Sequence, residues 1–168
     1  VSLQRMAQTA EMIFHGTAIG NEVRLDPASG RVATYTSFKV IEVIKGNPGA
    51  THTIKQIGGQ LPGSNVRLMI HGVPRFAVGE EYVIFLPKAS SLGFASPIGL
   101  SQGKFDIRKL NGQAVVTDGR ARAAEMKTAP QLDLPDTPSA IAADPTPDQP
   151  ATLHLADFLQ TVRSMVKE

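Results

Sequence analysis

Phe38-Lys39-Val40-Ile41-Glu42-Val43-Ile44-Lys45-Gly46 and Gly79-Glu80-Glu81-Tyr82-Val83-Ile84-Phe85-Leu86 carry the fold of this chain. In the first stretch Phe38 and Val40 keep a two-residue beat, and the next apolar anchor, Val43, falls three residues on. A strand that changes phase in this way contains a β-bulge, an extra residue that bends it sharply. Long bent strands are the device by which small barrels close. The second stretch is apolar on both faces, with Tyr82, Ile84 and Leu86 set against Val83 and Phe85. It is expected at the centre of the structure, covered on both sides.

Working outward, Val32 to Lys45 reads as the longest strand, closed by the turn Gly46-Asn47-Pro48-Gly49. His52 to Ile57 is the next strand and ends at Gly58-Gly59. Val66 to His71 places Val66, Leu68 and Ile70 on one face of a further strand, and Phe94 to Ile98 reads as a short one. Lys104 to Leu110 and Gln113 to Thr117 flank Asn111-Gly112, a strong hairpin signal because a type I′ turn needs two residues tolerant of positive φ. Upstream, Leu3, Met6, Ala7 and Ala10 recur at helical spacing with Ser2 as N-cap. Met12 to Ile19 reads as the first strand, and Asn21 to Arg31, with Asp26-Pro27 and Ser29-Gly30, as an exposed hairpin loop. Downstream, Thr128 to Pro150 is proline-rich with four aspartates and reads as an extended arm. Thr152 to Lys167 repeats Leu155, Phe158, Leu159, Val162 and Val166 as an amphipathic helical stripe. The expected fold class is all-β, an OB-like barrel with a short N-terminal and a C-terminal helix. The expected divisions are a barrel domain over 1–127, an arm over 128–150 and a helix over 151–168 that packs on the barrel.

The composition narrows the chemistry. With 42% hydrophobic residues the 168-residue chain can build one core, and at 19% charged it does not read as disordered. It has no cysteine, which excludes thiol catalysis, disulfides, cysteine-bound zinc and iron–sulfur clusters. Residues 1–127 hold 15 Lys/Arg against 9 Asp/Glu, and residues 128–168 hold 2 against 6. A mildly basic body and an acidic tail favour contact with each other or with an acidic partner. No run approaches the roughly 18 apolar residues of a membrane-spanning helix. Because the chain begins at Val1, removal of an upstream segment, such as a signal peptide, is expected.

The elements Thr36 to Gly46, Gly58-Gly59, Gly72 to Leu86 and Gly99 to Phe105, with the lead-in Ala10 to Gly16, resemble a group of exported bacterial proteins. That group is similar in layout to netrin-like and tissue-inhibitor-of-metalloproteinase modules. These are OB-type barrels with flanking helices, and the resemblance spans about Ser2 to Thr117. It implies a secreted or periplasmic binding protein. Those inhibitors chelate zinc through an N-terminal cysteine, which this chain lacks, so the resemblance extends to fold and not to that mechanism.

Candidate chemistry is sparse. Gly99-Leu100-Ser101-Gln102-Gly103 matches the Gly-x-Ser-x-Gly pattern of a hydrolase elbow, but that motif needs a strand before it and a helix after it. Here the following residues alternate as a strand, so a turn is expected. His15, His52, His71 and His154 form no metal-ligating spacing, although two could meet across a barrel. Glu80 and Glu81 are adjacent and point apart on a strand, which disfavours a shared acid–base site. Lys39, Lys45, Lys55, Arg67, Arg75, Lys104, Arg108 and Lys109 could line one face, but the chain has no tryptophan to stack nucleic-acid bases. The contact surface is expected at two hairpin tips, with Gly59, Gln60 and Leu61 on one and Arg75 and Phe76 on the other. The expectation is therefore a non-enzymatic binding module with a protein partner, no cofactor and no metal. Modulation of a secreted peptidase is one variant. A small hydrolase using Ser101 and a structural subunit are the alternatives.

Overall fold

The computed structural model describes residues 2–117 and 153–167, so the arm expected over 128–150 lies outside the described residues. Helix α1 (Leu3–Thr9) opens on the Ser2 cap, whose side chain accepts from the Arg5 amide. Strands β1 (Met12–Leu25) and β2 (Val32–Lys45) follow as a long antiparallel ribbon, and β3 (Thr51–Ile57) pairs with β2. Strands β4 (Gly59–Gln60) and β5 (Arg67–Leu68) form a separate hairpin. Strands β6 (Glu81–Leu86), β7 (Lys104–Leu110) and β8 (Gln113–Val116) complete the main sheet, and helix α2 (Leu155–Lys167) ends the described chain. The sheet order is β3-β2-β1-β6-β7-β8, antiparallel throughout.

Among the described residues the class is mainly β with two α-helices, but the sheet is open and does not close as the expected barrel. Its edge strands, β3 and β8, do not pair with each other. Phe94 to Ile98, expected as a strand, makes one backbone bond to each of two strands of the sheet and pairs with neither. The Ala95 amide donates to Lys55 on β3, and the Ile98 amide donates to Phe85 on β6. Pro97 has no amide hydrogen to give between them, so no ladder forms. The β8 edge is covered instead by the returning chain, where the Val116 amide donates to Leu153 and Val115 bridges His154.

The β1–β2 register slips three times, passing over Ile44 and Ile41 on β2 and Ile19 on β1. Ile41 lies within the expected phase change between Val40 and Val43. The first strand also runs further than its sequence pattern predicts. Asn21 to Leu25 pair with Val32 to Thr36, so the connecting loop is only 26–31. The β1 side of this ribbon is mostly exposed and contains Asn21, Glu22 and Arg24 beside the turn residues Asp26-Pro27, which is why it reads as loop.

Two cores flank the sheet. On one face α1 and α2 bury Leu3, Met6, Phe158, Leu159 and Val162 against Ile13, Val83, Phe85, Phe105 and Ile107. On the other, Phe14, Phe38, Ile54, Tyr82, Ile84 and Leu86 enclose Phe76. Strand β6 feeds both, Val83 and Phe85 to the first and Tyr82, Ile84 and Leu86 to the second, as its two-faced pattern predicts. The turn at Asn111-Gly112 has φ of 53° and 83°, the left-handed pair that a type I′ hairpin requires.

Candidate functional site

The β4–β5 hairpin leaves the end of β3 through Gly58 and Gly59. The Gly58 amide donates to Val32, and the Thr34 hydroxyl donates to the Gly58 carbonyl. Gly59 has φ +134°, and a Cβ there would stand 2.7 Å from Thr34 Oγ1 and 2.9 Å from a Val23 methyl. Only glycine meets both conditions, so this joint seats the hairpin directly on the β1–β2 ribbon. The tip closes on itself. The Leu61 amide donates to Val66, Gln60 Nε2 donates to the Ser64 carbonyl, and the Val66 amide donates to Ser64 Oγ.

Val66 to His71 was expected as a strand, but only Arg67 and Leu68 pair. Opposite them β4 offers two residues, so the rest of the segment has no ladder and no core to cover. Its apolar side chains consequently face solvent: Val66 is 49% exposed, Met69 64% and Ile70 38%. Leu100 adjoins them, with a terminal carbon 3.2 Å from where a Cβ on Gly72 would stand. Several exposed aliphatic side chains within one short segment are the mark of an interaction site rather than of a buried core.

The structure brings Gly59, Gln60 and Leu61 into this hairpin and places Arg75 at its base, where Nη2 donates to the Ile57 carbonyl at 3.1 Å. Phe76 is corrected. It is only 3% exposed and packs edge-to-face on Phe38 and Tyr82, each at 5.0 Å between centroids. Burial of an aromatic ring outweighs its place in a loop sequence, so Phe76 is a core residue and no contact residue. The exposed Val66, Met69 and Ile70 were missed as site residues because Val66 to His71 reads as a strand, with Val66, Leu68 and Ile70 as its apolar face.

The expected cationic face is not assembled. Lys45 Nζ donates to the Ala7 and Gln8 carbonyls at the end of α1, Lys55 pairs with Asp26, and Arg108 pairs with Glu80. Lys104 pairs with Asp106 and lies over Tyr82 and Phe76. Arg67 and Arg75 form no salt bridge among the described residues.

The carboxylates of Glu80 and Glu81 diverge as their adjacency predicts, Glu80 to Arg108 and Glu81 to His15 Nε2 at 2.9 Å. His52 stacks on the edge of Phe14, and burial lowers its pKa. His71 is exposed. His154 lies in an open groove of about 580 Å³ beside Glu42 and Asp157, but Glu42 is already bonded to Arg163 on α2. No group of three His, Asp or Glu arranged for a metal occurs among the described residues. Ser101 is exposed in a 3-10 turn, Leu100–Gly103, that runs straight into β7, and none of the described histidines bonds to it. The strand–turn–helix setting of a hydrolase elbow is absent there.

One polar cluster was not legible in the sequence. Asp26 is 3% exposed; it accepts from the Ser29 amide and hydroxyl on one oxygen and from Tyr35 and Lys55 on the other. The Ser29 and Lys55 bonds hold its carboxyl well below the usual range. Burial and the Asp26 bond push the Tyr35 phenol up. This cluster ties the β1–β2 loop to β3 and leaves the carboxylate oxygens taken.

Comparison with protein-family models, with curated proteins and with solved structures finds no match to this chain.

Proposed function

We propose that this protein is a non-enzymatic, exported binding module for another protein, and that the β4–β5 hairpin is its contact surface. The observation that carries the reading is the aliphatic group Val66, Met69 and Ile70, exposed on a hairpin whose glycine joint fixes it to the sheet. Interfaces form around such anchors when a partner removes them from water. The order β3-β2-β1-β6-β7 supports reading the sheet as a partly open relative of the OB-type modules that the sequence resembles.

The test is affinity capture from the exported proteome of the source organism with three forms of the full chain. The unmodified chain and Ser101→Ala should retain the same dominant, near-stoichiometric partner, and Met69→Asp should lose it. Met69 is exposed, so the thermal midpoint of Met69→Asp should stay within the change of about 0.5 kcal/mol typical of a surface site. Esterase or peptidase activity that disappears in Ser101→Ala would overturn the reading.

A further inference from the structure

We infer that the partner of the hairpin presents aliphatic side chains flanked by aspartate or glutamate. This rests on the proposed binding function and names the chemistry the same surface selects. Between Glu42 and Glu80 the chain contains no acidic residue, yet it carries Lys45, Lys55, Arg67 and Arg75. The hairpin and its base lie within that interval.

The two arginines that border the aliphatic group have no acidic neighbour. Arg67 is exposed on β5 opposite Gln60. Arg75 stands beside Gly58, as does Ile70, whose Cγ1 lies 3.7 Å from where a Cβ on that glycine would be. On the β1–β2 ribbon, Glu22 is paired with Arg24 at 3.4 Å and Asp26 with Lys55 at 2.9 Å. An approaching surface therefore meets apolar side chains with a positive rim that nothing in the described chain neutralises. Carboxylates on the partner satisfy that rim, and lysines or arginines repel it.

Two other occupants fit less well. A second copy of the chain would set Arg67 and Arg75 against arginines, with no acid on the hairpin to relieve them. An anionic bilayer prefers aromatic anchors at its interface, and residues 57–73 contain no Phe, Tyr or Trp. Two arginines add only about 1 kcal/mol each at such a surface.

The experiment selects binders to the immobilised full chain from a displayed library of short random peptides. R67E/R75E and Met69→Asp serve as parallel targets, both checked for native circular dichroism. The expected result is enrichment of aliphatic residues flanked by Asp or Glu. Binding of the enriched peptides should fall at least about tenfold on R67E/R75E, and should weaken as salt rises. Binders that need Met69 but show no acidic excess, or that survive R67E/R75E, would overturn this inference and leave the binding function standing. Failure to recover any Met69-dependent binder would overturn both. Equal binding of the unmodified chain to phosphatidylglycerol vesicles, lost in Met69→Asp, would replace the protein partner with a lipid surface.

Discussion

The helix-covered face and the β4–β5 hairpin use aliphatic residues in opposite ways. On the helix face Leu3, Met6, Leu159 and Val162 are almost wholly buried, and Phe85, Phe105 and Phe158 pack in series at 5.5 and 4.9 Å. On the hairpin Val66, Met69 and Ile70 touch water. The first arrangement holds the chain together, because each buried side chain adds about 1.5–3 kcal/mol. The second adds little to stability, and its apolar surface is available to another molecule. The difference teaches that an apolar pattern acquires its meaning from what lies opposite it. Strand β7 gives Phe105 a helix to meet, whereas β4 is too short to give Met69 anything.

The strongest break in this comparison lies within one dipeptide. Phe76→Ala should cost about 3–5 kcal/mol, like Phe158→Ala in the helix-side core, because each removes a buried ring. Arg75→Ala, one residue away and exposed, should change stability by about 0.5 kcal/mol or less. Urea unfolding measures all three, and equal losses at 75 and 76 would refute the assignment of Phe76 to the core. The next effect is electrostatic. Asp26→Asn weakens the clamp between the β1–β2 loop and β3 and should lower the thermal midpoint by several degrees. The folded carboxyl has a depressed pKa, so its contribution is complete above the unfolded value of about 4, declines below it, and is lost only as the pH falls through the folded pKa. The gap in thermal midpoint between the unmodified chain and the variant should therefore be constant above about pH 5 and narrow steadily towards pH 2, and parallel curves would refute the clamp. A moderate loss of stability, between those of Phe76→Ala and Arg75→Ala, is expected from Gly59→Ala. It forces a side chain into a left-handed site against Thr34 and Val23 at a cost of order 1–3 kcal/mol. Its larger consequence is functional, since the hairpin must tilt. Amide exchange should rise in residues 58–70 and leave β6 unchanged, and an undisturbed hairpin would show that the joint is not rigid.

Much of the fold was legible because the signals were local. The two-faced run Tyr82 to Leu86 marked the strand that feeds both cores, Asn111-Gly112 marked the turn between β7 and β8, and the step from Val40 to Val43 marked the bulge at Ile41. The stripe Leu155, Phe158, Leu159 and Val162 marked the helix that packs beside α1. The remainder depended on register and distance. His15 meets Glu81 and Asp26 meets Lys55 only after strands far apart in sequence align. The open sheet also depended on distance, since Phe94 to Ile98 makes only isolated bonds to β3 and β6 where periodicity predicted a strand. For the contact surface, Gly59 to Leu61 and Arg75 were readable as turn residues. Val66 and Ile70 were not, because strand periodicity cannot tell a buried face from one that lacks a neighbour.

The chain leaves the sheet at Thr117 and re-enters at Leu153, hydrogen-bonded beside Val116. Exit and return are thus pinned side by side at one edge, whatever runs between them. The cost of closing such an excursion grows only as the logarithm of its length, about 0.6 kcal/mol for each doubling. This edge is therefore a splice point. An insertion between 117 and 153 should cost little for as long as the Val116–Leu153 pairing holds.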